Sequence, residues 1–288
     1  MRKGLTGIRW YLRKIKYFYF LGAWHLLLEK KAKDDDYWGR CREVLADPNN
    51  KYIPRVKDAG KIIGGNLIMH NGLKVKMGDF AYAGDFAYTV LTANKGVHEP
   101  QEERAFAEVL KHMPAAATMI ELGSYWGFYS MWFNKQVNNA ACYMIEPNEK
   151  FLLCGRENFK LNNMRGVFIK GKIGVGGMGI DDFIRQNRID TVHMLHSDIQ
   201  GAELEMLQSC RQSIAEGKIW YFFISTHSQK LHYDCLSFLR DSGYEIIVSA
   251  DFDYGTYCCD GVLAARLKEI KGPGPLNVAL HRNNRPTP

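Results

Sequence analysis

The densest run of residues able to do chemistry is Met119-Ile120-Glu121-Leu122-Gly123-Ser124-Tyr125-Trp126-Gly127-Phe128-Tyr129-Ser130. An apolar strand ends in a carboxylate, a glycine turn follows and a helix opens. In an open α/β sheet, ligands sit outside the carboxyl ends of the strands. Glu121, Gly123, Ser124, Tyr125 and Gly127 are therefore expected to line a cofactor, with the two glycines letting the backbone come close to it. Dinucleotide folds cradle pyrophosphate with G-x-G-x-x-G. Here the spacing is G-x-x-x-G with an acid two residues earlier, which suits a cofactor carrying an ammonium group and no phosphate, as S-adenosylmethionine does. A lone G-x-x-x-G is as readily an ordinary tight turn. Glu146, closing the next strand in Met144-Ile145-Glu146-Pro147-Asn148, makes the cofactor reading more specific, since a carboxylate fixed there can accept both ribose hydroxyls.

A second run is Leu195-His196-Ser197-Asp198-Ile199-Gln200-Gly201-Ala202-Glu203-Leu204-Glu205-Met206-Leu207. Asp198 ends the fourth strand, beside the expected cofactor, and Gly201 makes the turn. Glu203 falls in the first turn of the next helix, where it is either catalytic or a plain complement to the helix dipole.

These residues resemble the FkbM-type S-adenosylmethionine-dependent methyltransferases, which act on hydroxyl groups of sugars, glycolipids and polyketides. The matches are Glu121-Leu122-Gly123 to Gly127, Glu146-Pro147-Asn148, Asn158-Phe159 to Asn162-Asn163, and above all Asp198-Ile199-Gln200-Gly201-Ala202-Glu203 followed by Leu207. The likeness covers roughly residues 95–268. It implies a Rossmann-like class I methyltransferase fold with a seven-stranded sheet, and methyl transfer to oxygen. Two positions depart from the pattern. No acid follows the third strand at Lys170-Gly171-Lys172-Ile173, which leaves the adenine unassigned. The fifth strand ends in Ser225-Thr226-His227-Ser228, where relatives often carry Glu two residues before the His.

Methyl transfer from a sulfonium is an in-line displacement, so the protein must align the acceptor oxygen and exclude water. A sugar hydroxyl ionises far above neutral pH and needs a base or a metal as its proton leaves. His227 and Asp198, at adjacent strand ends, are the expected catalytic pair, with Glu203 as a third member. A metal-free histidine base is favoured over a divalent cation held by Asp198 and His227, because magnesium prefers oxygen ligands. His98 and Glu99, just before Pro100, are expected to cover the crevice against the substrate, or only to cap the helix there. Tyr125 and Trp126 are expected in the site and Tyr129 in packing.

The elements that must position these groups alternate beyond Pro114. Strands are expected at Thr118–Leu122, Ala141–Glu146, Val167–Lys172, Thr191–Asp198 and Trp220–Thr226. Helical periods run over Phe128–Gln136, Glu149–Leu161, Ile180–Asn187 and Ala202–Ala215, and Tyr244–Val248 and Gly261–Leu267 close the sheet with a turn at Asp251–Gly255. The class is α/β, a seven-stranded, mostly parallel sheet with helices on both faces. Residues 51–95 read as short strands and loops, with a hairpin at His70-Asn71-Gly72. A helix opens at Pro100, its first turns holding Glu102 and Glu103 as the dipole prefers. The expected divisions are a basic helical arm (1–50), a strand and loop extension (51–99), the methyltransferase domain (100–270) and a flexible tail (271–288).

Charge separates the arm from the rest. Residues 1–33 hold nine basic side chains against Glu29 alone, whereas the whole chain of 288 residues carries only +7. A near-neutral body argues against a nucleic-acid groove, as does the lack of an Asn/Asp-Pro-Pro-Tyr/Phe segment at the fourth strand. Ile8, Tyr11, Leu12, Ile15, Phe18 and Tyr19 share a helical stripe, with Arg9, Arg13 and Lys16 on another. This stripe fits a helix lying on an anionic membrane through residues 1–28, and equally a helical pair packed on the protein or on a second copy of it. The apolar run Tyr17–Leu28 is too short for a span of about 20 residues. Seven scattered cysteines without C-x-x-C point to a reducing compartment. The expected setting is cytoplasmic, with attachment to the inner membrane face as an extension of that reading. The expected acceptor is a saccharide or glycolipid. The alternatives are another small-molecule hydroxyl, or a membrane-surface protein with a degenerate methyltransferase fold.

Overall fold

A strand buried on both faces must be apolar at successive positions, and the main sheet is built from such runs. The computed structural model describes residues 37–76, 84–174, 176–251 and 260–279. Ahead of the main sheet lie α1 (Tyr37–Ala46), a 3-10 turn (Pro48–Tyr52), β1 (Ile62–Ile63), β2 (Asn66–Ile68), β3 (Lys74–Lys76), α2 (Gly84–Ala93) and α3 (Pro100–Leu110). The alternating part follows as β4 (Thr118–Leu122), α4 (Phe128–Gln136), β5 (Ala141–Glu146), α5 (Glu149–Leu161), β6 (Val167–Lys170), α6 (Ile180–Gln186) and β7 (Val192–Ser197). It continues through α7 (Glu203–Gln208), α8 (Arg211–Ala215), β8 (Ile219–Thr226), α9 (Gln229–Asp241), β9 (Tyr244–Ala250) and β10 (Gly261–Leu267).

The seven-stranded sheet has the order β6-β5-β4-β7-β8-β10-β9. The first five pair in parallel, and β10 runs antiparallel between β8 and β9. Winding goes outward from β4 to β6, then returns to place β7 against the other side of β4. The carboxyl ends of β4 and β7 therefore flank a topological switch point, where open α/β sheets bind ligands. The two faces feed two cores. Met119, Met194 and Phe223 face one with Phe106, Phe128 and Phe133, while Ile120, Leu195 and Phe222 face the other with Phe183, Leu207 and Leu239.

The expected hairpin forms, with β2 and β3 paired antiparallel and Asn66 opposite Lys76. Its outer strand is held by side chains of α5. The amide oxygens of Asn158 and Asn162 accept from Lys76 N (3.0 Å) and Lys74 N (2.9 Å), and Asn162 Nδ2 donates back to Lys74 O (2.7 Å). The described residues from Val44 onward form one compact unit.

Other expectations are corrected. The helix expected over Ala202–Ala215 is two helices, because Ser209 Oγ donates back to Met206 O (2.7 Å) and Asp181 caps α8 through Gln212 N and Ser213 N (2.9 Å each). Helix α1 lies within the expected helical arm, whereas α2 stands where strands and loops are expected and α9 matches no expected element. Of the tail, residues 271–279 are docked: Leu276 N donates to Ile247 O (2.7 Å), Asn49 Nδ2 to Val278 O (3.0 Å), and Val278 is buried. The amphipathic stripe of the arm, most of the turn at Asp251–Gly255 and residues 280–288 lie outside the described residues. No helix among the described residues is long and apolar enough to cross a membrane.

Candidate active site

The turn after β4 is shaped by neighbouring backbone. Gly123 has φ +69°, and a Cβ there would collide with the Asp198 carbonyl; Gly127 has φ +76°, with Phe159 3.3 Å from where a Cβ would stand. Both glycines make room for protein, and Gly123 also borders the cavity described below. Gly123 N and Ser124 N donate to Ile145 O (2.9 and 3.2 Å), and Asp198 N donates to Leu122 O (3.0 Å), which draws the ends of β4, β5 and β7 together. Ser124 is buried. Tyr125 adopts φ +44°, uncommon for a residue with a side chain.

A cavity of about 400 Å³ opens at these strand ends. Glu146 and Asp198 supply its carboxylates, and Ile145, Phe151 and Ile173 its apolar wall. Glu146 is fixed from both sides, with Oε2 accepting from Tyr125 N (3.1 Å) and Oε1 from Asn148 N (2.8 Å). Burial raises its pKa against the pull of those two bonds. Glu121 does not line this cavity. It is buried behind the turn, accepts from Ser130 N (3.2 Å), and burial lifts its pKa to about 7.

Beyond Asp198 the loop turns through Gln200 (φ +54°) and Gly201 (φ +104°). The buried Glu203 organises it: Oε1 accepts from Ile199 N (3.3 Å) and Gly201 N (3.1 Å) and meets His227 Nδ1 at 2.8 Å. His227 is set in the turn between β8 and α9, where Ser228 Oγ caps the helix by accepting from Leu231 N (3.2 Å). Its Nε2 lies 3.2 Å from Asp198 Oδ1 and 2.9 Å from the Gln200 amide nitrogen. The structure thus brings Asp198, Glu203 and His227 together. Burial disfavours the imidazolium, but hydrogen bonds and charges from Asp198 and Glu203 prevail and raise His227 to about 10. The two carboxylates thus favour its charged form over that of a free base.

The acids of α3 were expected only to complement the helix dipole, yet they are buried and paired. Glu103 Oε1 meets His98 Nδ1 (2.7 Å) and accepts from His98 N (2.8 Å), while Oε2 meets His70 Nε2 (3.1 Å). Burial opposes ionisation of Glu103, and His98 and His70 overcome it, holding the pKa well below the usual range. His98 rises to about 9, the charges of Glu99 and Glu103 outweighing its burial. Glu102 spans two strands, meeting His196 Nε2 at 2.6 Å and accepting from Ser225 Oγ at 2.9 Å. Those residues stand two positions before Asp198 and His227. The missed signal is the spacing Glu99, Glu102, Glu103, Phe106, which puts acids on the stripe that should face the core.

The aromatic residues also differ from expectation. Trp126 is buried and stacks on Phe128 (5.2 Å), so its ring packs in the core instead of offering a face to a sugar. Tyr129, expected to pack, is buried too, but its hydroxyl donates to Glu99 Oε2 at 2.6 Å. His98 and Glu99 stand together at this edge, 3.4 Å apart. Among the described residues, no group of three or more His, Cys, Asp or Glu is arranged to hold a metal ion.

Residues 92–246, more than half of the chain, match the methyltransferase FkbM domain. The chain belongs to this family. No curated protein matches the sequence. Solved structures similar to the FkbM chain include TrmK of M. capricolum with S-adenosyl-homocysteine (14% identity, TM-score 0.40, covering 57% of this chain and 68% of that one). Others are a precorrin-6y C5,15-methyltransferase from Geobacter metallireducens GS-15 (13%, 0.40, 57% and 86%) and a putative rRNA-methylase from Clostridium thermocellum (11%, 0.45, 59% and 96%).

The protein is an S-adenosylmethionine-dependent methyltransferase by family, and its cavity suits that cofactor. A fixed carboxylate at the end of β5 matches ribose hydroxyls, apolar walls match a nucleoside base, and Asp198 offers negative charge to a cation. Glu146, Asp198, Phe151 and Ile173 would hold the cofactor, which supplies an electrophilic methyl group when bound.

Proposed function

We propose that this protein transfers a methyl group from S-adenosylmethionine to a hydroxyl of a saccharide, on a glycan or glycolipid. The observation that carries the reading is the Asp198–His227–Glu203 constellation at the ends of β7 and β8, against the wall of the cavity. Transfer to a hydroxyl needs a hydrogen-bond acceptor that aligns the O–H and sites that can receive its proton, and a carboxylate held by an imidazolium meets the first need. Glu203 fixes the His227 ring, and His227 in turn orients Asp198. Glu102, bridging His196 and Ser225, ties the same two strands one layer below.

The basic residues 1–33 fit a glycan carried on an anionic membrane, since each Lys or Arg near such a surface adds about 1 kcal/mol. The experiment is incubation of the purified protein with S-adenosylmethionine and a panel of glycans, with the transferred methyl located by mass spectrometry. Methyl on a sugar oxygen is expected; transfer only to nitrogen, or only to acceptors without sugar, overturns the saccharide reading.

A further inference from the structure

At the edge where the Tyr129 ring packs 4.4 Å from that of His196, two residues before Asp198 on β7, stands a carboxylate with one oxygen uncommitted. Glu99 ends the loop that leads into α3, one residue before Pro100. Its Oε2 accepts from the Tyr129 hydroxyl at 2.6 Å and lies 3.4 Å from His98 Nε2, whereas Oε1 meets no partner among the described residues. The Tyr129 and His98 rings are anchored in an aromatic cluster with Phe128, so the carboxylate is aimed and not free to swing. The side chain is 38% exposed, comparable to the 34% of Asp198. The charged and titratable groups that face it are His98 from the preceding loop, Glu102 on its own helix, Tyr129 from α4 and Asp198 from the end of β7. By contrast, both nitrogens of His227 are engaged, Nδ1 with Glu203 and Nε2 with Asp198.

We propose that Glu99 is the catalytic residue that takes the proton of the acceptor hydroxyl. The inference rests on reading the crevice as the site of an O-methyltransferase. In the step, the acceptor oxygen forms its bond to the methyl carbon as its O–H bond breaks. The electron pair of the severed S–C bond stays on sulfur, and the proton goes to Glu99 Oε1, from which water later removes it. One sulfonium and one carboxylate are consumed, and a neutral thioether and a neutral carboxyl remain. Partial burial, with repulsion from Glu102 and Asp198, raises the Glu99 pKa above the ordinary carboxylate range against the pull of His98 and Tyr129. A carboxylate so raised is a stronger base than an ordinary one while still ionising near neutral pH. His227, at about 10, keeps its proton.

The test compares wild type with Glu99→Gln, Glu99→Asp and Tyr129→Phe, using a glycan that the wild type methylates. It reads kcat across about pH 5 to 10 and S-adenosylhomocysteine affinity by calorimetry. Wild-type kcat should fall about tenfold per pH unit on the acid side, below the raised Glu99 pKa. Glu99→Gln should lose about 10²- to 10⁴-fold in kcat with unchanged S-adenosylhomocysteine affinity, and should lose the acid limb of the profile. Glu99→Asp should restore part of the rate and the limb. Tyr129→Phe removes a donor to the ionised carboxylate, so its limb should move to higher pH. A Glu99→Gln variant that keeps the wild-type rate or an unaltered acid limb overturns the proposal, as does one that loses activity and S-adenosylhomocysteine binding together. If the wild type methylates no hydroxyl of any acceptor, the O-methyltransferase reading fails and takes the proposal with it. A sugar methylated equally by wild type and Glu99→Gln sinks the proposal alone.

Discussion

His227 shows how neighbours decide what a residue can do. As an isolated histidine at a strand end it reads as a base, but Asp198 and Glu203 raise it to about 10 despite its burial. With the ordinary value near 6.5, the folded protein binds this proton more tightly than the unfolded chain. Its contribution to stability is therefore complete below about pH 6.5 and fades as pH rises through about 10. Denaturation of wild type and His227→Gln should show a stability difference that is largest on the acid side and shrinks steadily above neutral pH; a difference independent of pH would contradict the ion pair. Glu146 carries a second expectation. Its oxygens are already aligned by Tyr125 N and Asn148 N, so Glu146→Ala should weaken S-adenosylmethionine binding by about 1.5 to 3 kcal/mol, the scale for hydrogen bonds to a charged group. Unchanged affinity in a folded variant, read by calorimetry, would remove Glu146 from the cofactor site. Asp198, Glu146 and Glu203 were legible in the sequence because strand ends and turn glycines announce them. Glu102 and Glu103 were not, because acids opening a helix look like dipole complements until the helix is seen to bury them.

Among the elements, the strands of the main sheet were the most legible. Tyr221-Phe222-Phe223-Ile224 can only be a strand covered on both sides, and β4, β5 and β10 span the expected residues. Helix α2 was not legible because its run Thr89-Val90-Leu91 is buried throughout, and a short continuous buried run does not separate helix from strand by period. The break between α7 and α8 depends on Asp181, distant in sequence, and so could not be read locally. The turn after β4 gives the prediction at this scale. Gly123→Ala places a methyl group against the Asp198 carbonyl at a left-handed backbone position, where strain alone costs about 1 to 3 kcal/mol. It should lower the midpoint of thermal unfolding and weaken S-adenosylhomocysteine binding together, because the same contact joins β4 to β7. A variant as stable as wild type would show that the two strand ends can part without cost.

For the whole molecule, the separation of a basic arm from a near-neutral body is written in the composition, and the compact unit that starts at Val44 holds all the residues placed at the site. Removing residues 1–28 should leave methyl transfer to a soluble acceptor largely intact while reducing binding to anionic vesicles in a sedimentation assay. Loss of the folded body on truncation would favour the alternative in which the arm packs against the protein. The central claim, that the switch-point cavity holds the methyl donor with its reactive end toward Asp198 and Glu99, is tested most directly by a crystal structure with S-adenosylhomocysteine. The account predicts ribose hydroxyls on Glu146, the base against Phe151 and Ile173, and the sulfur toward Asp198, on the side of His227 and Glu99. A nucleoside bound elsewhere, or a sulfur turned away from those three side chains, would contradict it.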